Sequence, residues 1–277
     1  MMGHNYKPVL FFTVTFIATW MFWIAAAFTN EDAASILMFI GLIAPALVST
    51  IFIHVSKDQM LIDDTKRKMT SVSRLDWKAI TLATAGFGLA ICISILISTV
   101  SGGSFDQFSF TSDFSFTGVG FASAVITILL ASIIEEIGWR GYAEDSIGNS
   151  VDWFRGSLIF GIVWAIWHIP LMFIPGTYQS GLVDLGMLYV VNFIISSIPL
   201  AIVMNWVYIA SHRSMLACMF FHLFVNFMQE KIAMTPDTKV IETVVMFVFA
   251  AIVILMNKGL FFETEHIGNL PEPESNY

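Results

Sequence analysis

The sequence predicts an all-α protein, a polytopic membrane bundle of about eight transmembrane helices. Of its 277 residues, 57% are hydrophobic and only 12% are charged, whereas soluble domains average about 25% charged residues. The mean hydropathy is +0.77. Apolar runs of the roughly 20 residues needed to cross a hydrocarbon core recur along the whole chain. These observations indicate an integral membrane protein.

The apolar runs and the polar breaks between them set the predicted spans. The spans are residues 9–28, 35–55, 77–100, 118–140, 156–174, 182–207, 214–229 and 240–257. The alanines at 25–27 imitate a signal-peptide cleavage site, but the apolar run before them is longer than a signal peptide needs, so we expect an uncleaved helix. We interpret residues 1–260 as one transmembrane domain and residues 261–277 as a polar, disordered tail.

The distribution of Lys and Arg predicts the orientation in the membrane. In the eight-helix arrangement one side carries Lys7, Lys57, Lys66, Arg67, Lys68, Arg74, Lys78, Arg140, Arg155, Arg213 and Lys258, and the other carries Lys231 and Lys239. Cytoplasmic loops are enriched in Lys and Arg. Both termini are therefore expected in the cytoplasm, and the compact chain favours a bacterial plasma membrane over an organelle.

Several classes of function are disfavoured by the sequence. The formal net charge of -8 and the lack of a basic tract argue against nucleic-acid binding. Cys92 and Cys218 lie in apolar runs without ligand-like spacing, so they are expected to be small buried hydrophobes. The sequence contains no HExxH motif, G-x-S-x-G elbow or phosphate-binding glycine loop.

Ionisable residues inside apolar runs require an explanation, because a charge within a bilayer is costly and usually functional. Glu136 and Arg140 are four residues apart, so they share a helical face and can form an ion pair. Glu135 points about 100° away from Glu136 and can face a different cavity. The alternative is a helix end at the membrane interface, where charge is tolerated.

Two further polar pairs follow on later helices. Trp164 and His168 share one face, and His222 and Asn226 share another, since each pair is four residues apart. Taken singly, such residues often only hydrogen-bond a neighbouring helix. Three helices that supply polar groups to the membrane interior indicate a common site.

The remaining polar and small residues are interpreted as structural. Asn192, Asn205 and His212 are expected to pack between helices or to lie at the interface. Gly138 and Gly141 are expected to allow another helix to approach closely.

The three motifs Glu135-Glu136-x-x-x-Arg140, Trp164-x-x-x-His168 and His222-x-x-x-Asn226 resemble, in order and spacing, those of the CPBP family of intramembrane proteases. This family, also called Abi, includes the CAAX prenyl endopeptidases and bacterial proteins linked to bacteriocin processing and self-immunity. The resemblance covers residues 135–226. It implies an eight-helix peptidase in which Glu135, His168, His222 and Asn226 are catalytic, while Glu136, Arg140 and Trp164 shape the site. The family often has Phe at the position of Trp164, and an aromatic wall should survive that exchange.

The residue types suit hydrolysis of an amide bond, which needs an activated water, a proton for the leaving amine and donors to the oxyanion. Glu135 and His168 can hold and deprotonate water, while His222 and Asn226 can donate to the oxyanion. Glu135, His168 and His222 would also suit a zinc ion with one open position. We favour the metal-free form, because Asn226 is a poor zinc ligand but a good oxyanion donor.

The expected substrate is a membrane-associated peptide or protein, prenylated or not, that enters the bilayer from the cytoplasmic side. By the resemblance, the CAAX branch of the family removes the last three residues of a prenylated protein. One alternative is a non-catalytic immunity or scaffold protein, which could retain the fold. A proton-coupled transporter is disfavoured, because the sequence shows no repeat and no pair of broken helices in equivalent halves.

Overall fold

The computed structural model describes residues 6–114, 118–119 and 122–263, and its larger elements are all helices. The helices are α1 Pro8–Ala26, α2 Glu31–Val55, α3 Gln59–Thr70, α4 Trp77–Val100, α5 Ala124–Gly138, α6 Glu144–Gly148, α7 Trp153–Trp167, α8 Tyr178–Leu185, α9 Met187–Ala210, α10 Met215–Lys231 and α11 Pro236–Met256. Strands β1 Gly118–Val119 and β2 Ala122–Ser123 form a small antiparallel pair. The prediction of an all-α membrane bundle is confirmed.

Within the described residues, six helical segments are long and apolar enough to cross a membrane. They are Pro8–Ala26, Glu31–Val55, Trp77–Val100, Trp153–Phe173, Met187–Ala210 and Pro236–Met256. The other two predicted spans correspond to α5, with 15 residues, and α10, with 17 residues. A π-helical turn at Trp139–Ala143 joins α5 to α6, so this helix continues without a break from Ala124 to Gly148.

Three local features differ from the predicted spans. The fourth predicted span corresponds to α5, which begins at residue 124 rather than 118 because the preceding residues include the small strand pair. Gly186 has a φ of 126°, a backbone angle that residues with a side chain rarely adopt. It separates α8 from α9 within the predicted span 182–207. The charged segment 59–70 forms α3, which is capped at its start by the Asp58 carboxylate.

The bundle has two chemically different ends. At one, called here the basic end, Lys68 Nζ of α3 lies 2.6 Å from Asp145 Oδ2 of α6, and Arg213 binds both Asp145 and Asp64. At the other, called the cavity end, a β-bridge pairs Phe110 with Ile232. The first described residues and the π turn at Gly259–Glu263 lie at the basic end, where Phe262 packs 5.2 Å from Phe154.

Gly138 at the end of α5 and Gly141 in the following π turn allow this part of the chain to pack closely against α2, as predicted. A Cβ atom on Gly138 would lie 2.5 Å from Pro45 Cβ and 3.0 Å from the backbone nitrogen of Ala46. A Cβ atom on Gly141 would lie 2.7 Å from Ser49 Oγ. At Gly138 the neighbouring atoms include backbone that cannot move aside, so a side chain there would displace α5, whereas Gly141 meets the end of the Ser49 side chain.

The predicted tail starts inside the last described turn. Phe261 is fully buried, and the chain remains helical to Glu263. The predicted disorder of residues 264–277 falls outside the described residues, so the tail boundary stays a prediction.

Candidate active site

Glu135 lies in the wall of a cavity, and two tryptophans hold its carboxylate. Its side chain is only 5% exposed. Trp164 Nε1 donates to Glu135 Oε2 over 2.9 Å, and Trp139 Nε1 donates to the same oxygen over 3.3 Å. Because both indoles bind Oε2, Oε1 is the oxygen that can accept a proton from a bound molecule.

Glu136 lies behind Glu135 in a fully buried group of charges. Its Oε1 atom lies 3.2 Å from Arg140 Nη1, as the spacing predicts, and 2.8 Å from His222 Nδ1. Arg140 also donates to Asn205 Oδ1 over 3.2 Å and lies 4.7 Å from the centre of the Phe160 ring. The pair therefore links α5 to α7, α9 and α10.

The end of α7 fixes the orientation of the His168 ring. The backbone N–H of His168 bonds to Ala165 O rather than continuing the α-helical pattern, and a 3-10 turn begins at Ile169, with Pro170 as its second residue. His168 Nδ1 lies 2.7 Å from Trp164 O. A carbonyl only accepts, so Nδ1 carries the proton and Nε2 of the neutral ring is left with a lone pair.

Helix α10 supplies His222 and Asn226 one turn apart. His222 is 2% exposed, and its Nδ1 donates to the Glu136 carboxylate, which leaves Nε2 for other contacts. Asn226 Nδ2 lies 3.4 Å from Ser132 Oγ of α5. Ser132 in turn donates to Ile128 O, so the amide of Asn226 faces the same helix that carries Glu135.

The Trp164 indole lies at the centre of the site. Its ring centroid is 5.6 Å from the His168 ring and 5.6 Å from the His222 ring, and both contacts are edge-to-face. Since its Nε1 also binds Glu135, one side chain contacts three of the predicted catalytic residues.

The site faces a cavity of about 520 Å³ that is bounded by several helices. The lining includes Glu135, Trp164, His168, His222 and Asn226. Its apolar part includes Trp23, Leu42, Phe87, Leu171, Leu200 and Met246. Four residues predicted as catalytic thus share one cavity, whereas the buried Glu136–Arg140 pair supports it from behind.

The cavity lies toward one end of the bundle. The lining residues of α9 lie between Tyr189 and Leu200, and those of α11 lie between Pro236 and Met246, which are the halves next to the cavity end. Gly176 and Leu185, at the rim, are exposed. The first and last described residues lie at the basic end, so the cavity opens on the opposite side of the bundle from them. Cytoplasmic termini and substrate entry from the cytoplasm therefore stay two predictions that exclude each other.

The zinc set considered from the sequence is not assembled. Within residues 6–114, 118–119 and 122–263, no group of three or more His, Cys, Asp and Glu side chains is arranged to hold a metal ion. Glu135 Oε2 already accepts from two indoles, and His222 directs Nδ1 to Glu136. As arranged, these side chains do not fit a zinc ion.

The residues expected to be structural make interhelical contacts. Asn205 accepts from Arg140 and donates to Glu144 Oε2 over 3.0 Å. Asn192 lines the cavity and lies 3.4 Å from Lys239 O. His212 has a φ of 48° in the turn between α9 and α10.

Trp139 and Ser132 support the site in ways that were not predicted from the sequence. Trp139 follows Glu135 by four residues, and this spacing could have identified it as a neighbour on the same face. No sequence signal pairs Ser132 with Asn226, since the contact depends on how α5 meets α10.

A cavity among membrane-spanning helices that gathers a carboxylate, two imidazoles and an amide has the residue types that an intramembrane hydrolase needs. Residues 117–228, which include all three motifs, match the family described as Rce1-like, type II CAAX prenyl endopeptidase. The chain is also 37% identical over 266 residues to CAAX prenyl protease 2 of Methanococcus maripaludis, covering 94% of this chain and 98% of that protein. The chain belongs to the Rce1-like family of CAAX prenyl endopeptidases, which makes it an intramembrane endopeptidase.

Proposed function

We propose that the chain cleaves one peptide bond of a membrane-associated peptide or protein with a water molecule activated by Glu135 and His168. The observation that carries this proposal is the shared cavity, in which Glu135, His168, His222 and Asn226 all form the lining. A non-catalytic scaffold would have no need for this convergence of polar groups within the membrane.

The first step is attack by water on the scissile carbonyl. Water donates one hydrogen bond to Glu135 Oε1 and the other to the lone pair of His168 Nε2. Glu135 takes a proton from the water as its oxygen forms a bond to the carbonyl carbon, and the carbonyl electron pair moves onto oxygen. Trp139 and Trp164 hold the other carboxylate oxygen in place.

The second step is collapse of the tetrahedral intermediate. Asn226 Nδ2–H and His222 Nε2–H donate to the oxyanion. His222 Nδ1 lies 2.8 Å from Glu136 Oε1, so Nε2 is the ring nitrogen left for the oxyanion. The carbon–nitrogen bond then breaks, and Glu135 returns its proton to the leaving amine, so the products are a carboxylic acid and an amine.

The proposed substrate carries an apolar membrane anchor, and a prenylated C-terminal segment fits this description. The apolar side chains in the cavity wall, including Leu42, Phe87 and Met246, offer a surface for a lipid chain beside the polar site. The name of the Methanococcus relative supports a prenylated substrate.

In the proposed orientation, the protein lies in a bacterial plasma membrane with its termini and its basic end on the cytoplasmic side. The excess of Lys and Arg at that end supports this orientation. The cavity then opens toward the opposite surface of the membrane. This orientation replaces the expected access from the cytoplasm, and the substrate must present its cleavage site on the non-cytoplasmic side.

The proposed function is tested with the purified chain in lipid vesicles and a peptide that carries a C-terminal isoprenylated cysteine segment. Replacing Glu135 by Gln should lower kcat by about 10²- to 10⁴-fold, because the general base is lost. Replacing Asn226 by Ala should lower kcat by about 10²- to 10³-fold, because an oxyanion donor is lost.

The matched control is Asn192→Ala, which removes another amide from the same cavity and should retain most of the turnover. Full activity of the Glu135→Gln variant would contradict the proposed mechanism.

A further inference from the structure

A row of buried polar side chains extends from Glu136 away from the cavity. Arg140, which binds Glu136, also donates from Nη2 to Asn205 Oδ1 over 3.2 Å. Asn205 Nδ2 in turn lies 3.0 Å from Glu144 Oε2 and 3.1 Å from Ser157 Oγ. All five residues are fully buried, and none of them lines the cavity. The proposed hydrolysis uses Asn205 in no step, so its contacts must serve another purpose.

The contacts of Asn205 determine which way its amide points. A guanidinium only donates, so the atom that Arg140 contacts must be the amide oxygen. The two amide hydrogens are used as well, one by a Glu144 oxygen and the other by Ser157 Oγ. Ser157 can accept, because its own hydrogen is donated to Trp153 O over 2.7 Å. The amide is therefore held on both sides, and its oxygen has a fixed position for the guanidinium.

Asn205 ties Arg140 to a second helix. Two acidic neighbours of the guanidinium, Glu136 and Glu144, lie four residues before and after Arg140 on the same continuous helix. Contacts within one helix do not fix a side chain relative to the neighbouring helices. Because Asn205 belongs to α9, its hydrogen bond supplies such a constraint.

Helix α9 contacts α10 close to this hydrogen bond. Cys218 Sγ lies 3.8 Å from the carbonyl oxygen of Met204, the residue before Asn205. Cys218 precedes His222 by four residues, so the two side chains lie one turn apart on the same face of α10. The amide of Asn205 is thus anchored on a helix that packs against the helix of His222.

The row ends at the His222 ring. His222 Nδ1 lies 2.8 Å from Glu136 Oε1, and Arg140 Nη1 lies 3.2 Å from the same oxygen. The position of the guanidinium therefore sets the position of the carboxylate, and the carboxylate sets the orientation of the ring. A change in that orientation would move Nε2, the nitrogen that faces the oxyanion in the proposed mechanism.

We propose that Asn205 is a positioning residue for the oxyanion site: it holds Arg140 in place, and through Glu136 this orients His222. The inference rests on the proposed peptidase function and adds to it a residue that lies outside the cavity and does not contact the substrate. The bonds that form and break during hydrolysis are unchanged.

The first test measures cleavage of the anchored peptide by the full chain in lipid vesicles. Asn205→Ala should lower kcat by about tenfold with little change in KM, because the ring that serves the transition state is displaced while the substrate-binding wall is kept. A rise in KM with an unchanged kcat would contradict the inference, since it would place the effect on substrate binding.

A double-mutant cycle tests whether Asn205 acts through His222. In a His222→Ala background the ring is already absent, so adding Asn205→Ala should lower kcat no further. In an Asn226→Ala background the ring is present, and the same substitution should still lower kcat by about tenfold. Equal losses in the two backgrounds would overturn the inference.

Tyr208→Phe is the matched control, because it also removes a buried hydrogen bond from α9 to Arg140, but to the backbone carbonyl, over 3.1 Å. It should lower the unfolding temperature in detergent, as Asn205→Ala does, and keep kcat. A fall in kcat that follows the loss of stability in both variants would show that Asn205 serves only the fold.

A readout without turnover separates this inference from the proposed function. In NMR spectra of the chain with isotope-labelled histidine, the ring signals of His222 are identified by their absence in His222→Ala. Asn205→Ala should shift these signals and Tyr208→Phe should not, whereas unchanged signals in Asn205→Ala would overturn the inference. Absence of cleavage by the wild type would overturn the proposed function, and the shift of the ring signals would still test the positioning of His222.

Discussion

At the scale of single residues, Trp164 determines how the site is organised. The family often has Phe here, and an aromatic wall was the expected role. The indole does more, because its N–H binds Glu135 over 2.9 Å while its ring contacts both imidazoles. This donor keeps the carboxylate in one orientation, with Oε1 available for water.

Trp164→Phe should therefore lower kcat by about tenfold with little change in KM. The phenyl ring retains the aromatic contacts but loses one hydrogen bond to a charged group, a contribution of about 1.5 to 3 kcal/mol, of which the remaining Trp139 contact preserves a part. The measurement is steady-state cleavage of the anchored peptide.

The control for this prediction is Trp20→Phe, which removes an indole donor to Trp167 O, and Trp20 is not among the residues that line the cavity. It should keep kcat. A Trp164→Phe variant as fast as the wild type would show that the indole N–H does not position Glu135.

At the scale of secondary-structure elements, the π turn between α5 and α6 connects the site to the basic end. The turn leaves the carbonyls of Arg140 and Gly141 free to accept from Lys68 Nζ, each over 3.2 Å. Tyr208 Oη donates to Arg140 O as well, over 3.1 Å. Contacts from α3 and α9 thus stabilise the irregular part of the helix that carries Glu135 and Glu136.

Lys68→Met should destabilise the protein by about 3 to 5 kcal/mol, because it removes one partner from a buried ion pair. Burial lowers the pKa of Lys68 from its ordinary value of 10.5, and Asp145 offsets part of this shift. Unfolding in detergent by a denaturant measures the loss.

Lys66→Met is the matched control, since Lys66 lies in the same helix and its ion pair with Asp63 is 4.0 Å long and solvent-exposed. Its unfolding free energy should change by less than about 1 kcal/mol. Equal effects of the two variants would contradict a structural role for the buried pair.

Gly138→Ala should lower the thermal stability and, through displacement of α5, the activity. The added methyl group would lie 2.5 Å from Pro45 Cβ, and overpacking of this kind costs about 1 to 3 kcal/mol. Thermal unfolding in detergent provides the measurement. Gly88→Ala in α4 is the control, because nothing lies within 4 Å of its Cβ position, and a Gly138→Ala variant with wild-type stability would disprove the close approach.

At the scale of the whole molecule, the cavity and most of the Lys and Arg residues lie at opposite ends. An impermeant thiol reagent applied to intact cells should label Asp184→Cys at the cavity end and leave Lys57→Cys at the basic end unlabelled, in a chain whose Cys92 and Cys218 are replaced by Ala. The opposite labelling pattern would place the termini outside and the cavity toward the cytoplasm.

The sequence was informative because polar residues are rare within its apolar runs. Glu135, His168, His222 and Asn226 stood out by their depth and helical spacing, the resemblance to the CPBP family implied their catalytic roles, and the structure brings them to one cavity. The direction in which the cavity opens could not be predicted, since it depends on which halves of the helices separate. Lys68 and Lys239 resembled ordinary loop and helix-end charges, and their partners come from residues distant in sequence.

The central claim, that Glu135 and His168 catalyse peptide-bond hydrolysis, is tested most directly in native membranes. Mass spectrometry would compare the membrane peptides of cells that contain the wild type, Glu135→Gln or His168→Ala at equal abundance. The account predicts a set of cleavage products that disappears in both variants and identifies the substrate. Peptide profiles that stay the same in all three, while the phenotype of the wild type persists in the variants, would contradict it.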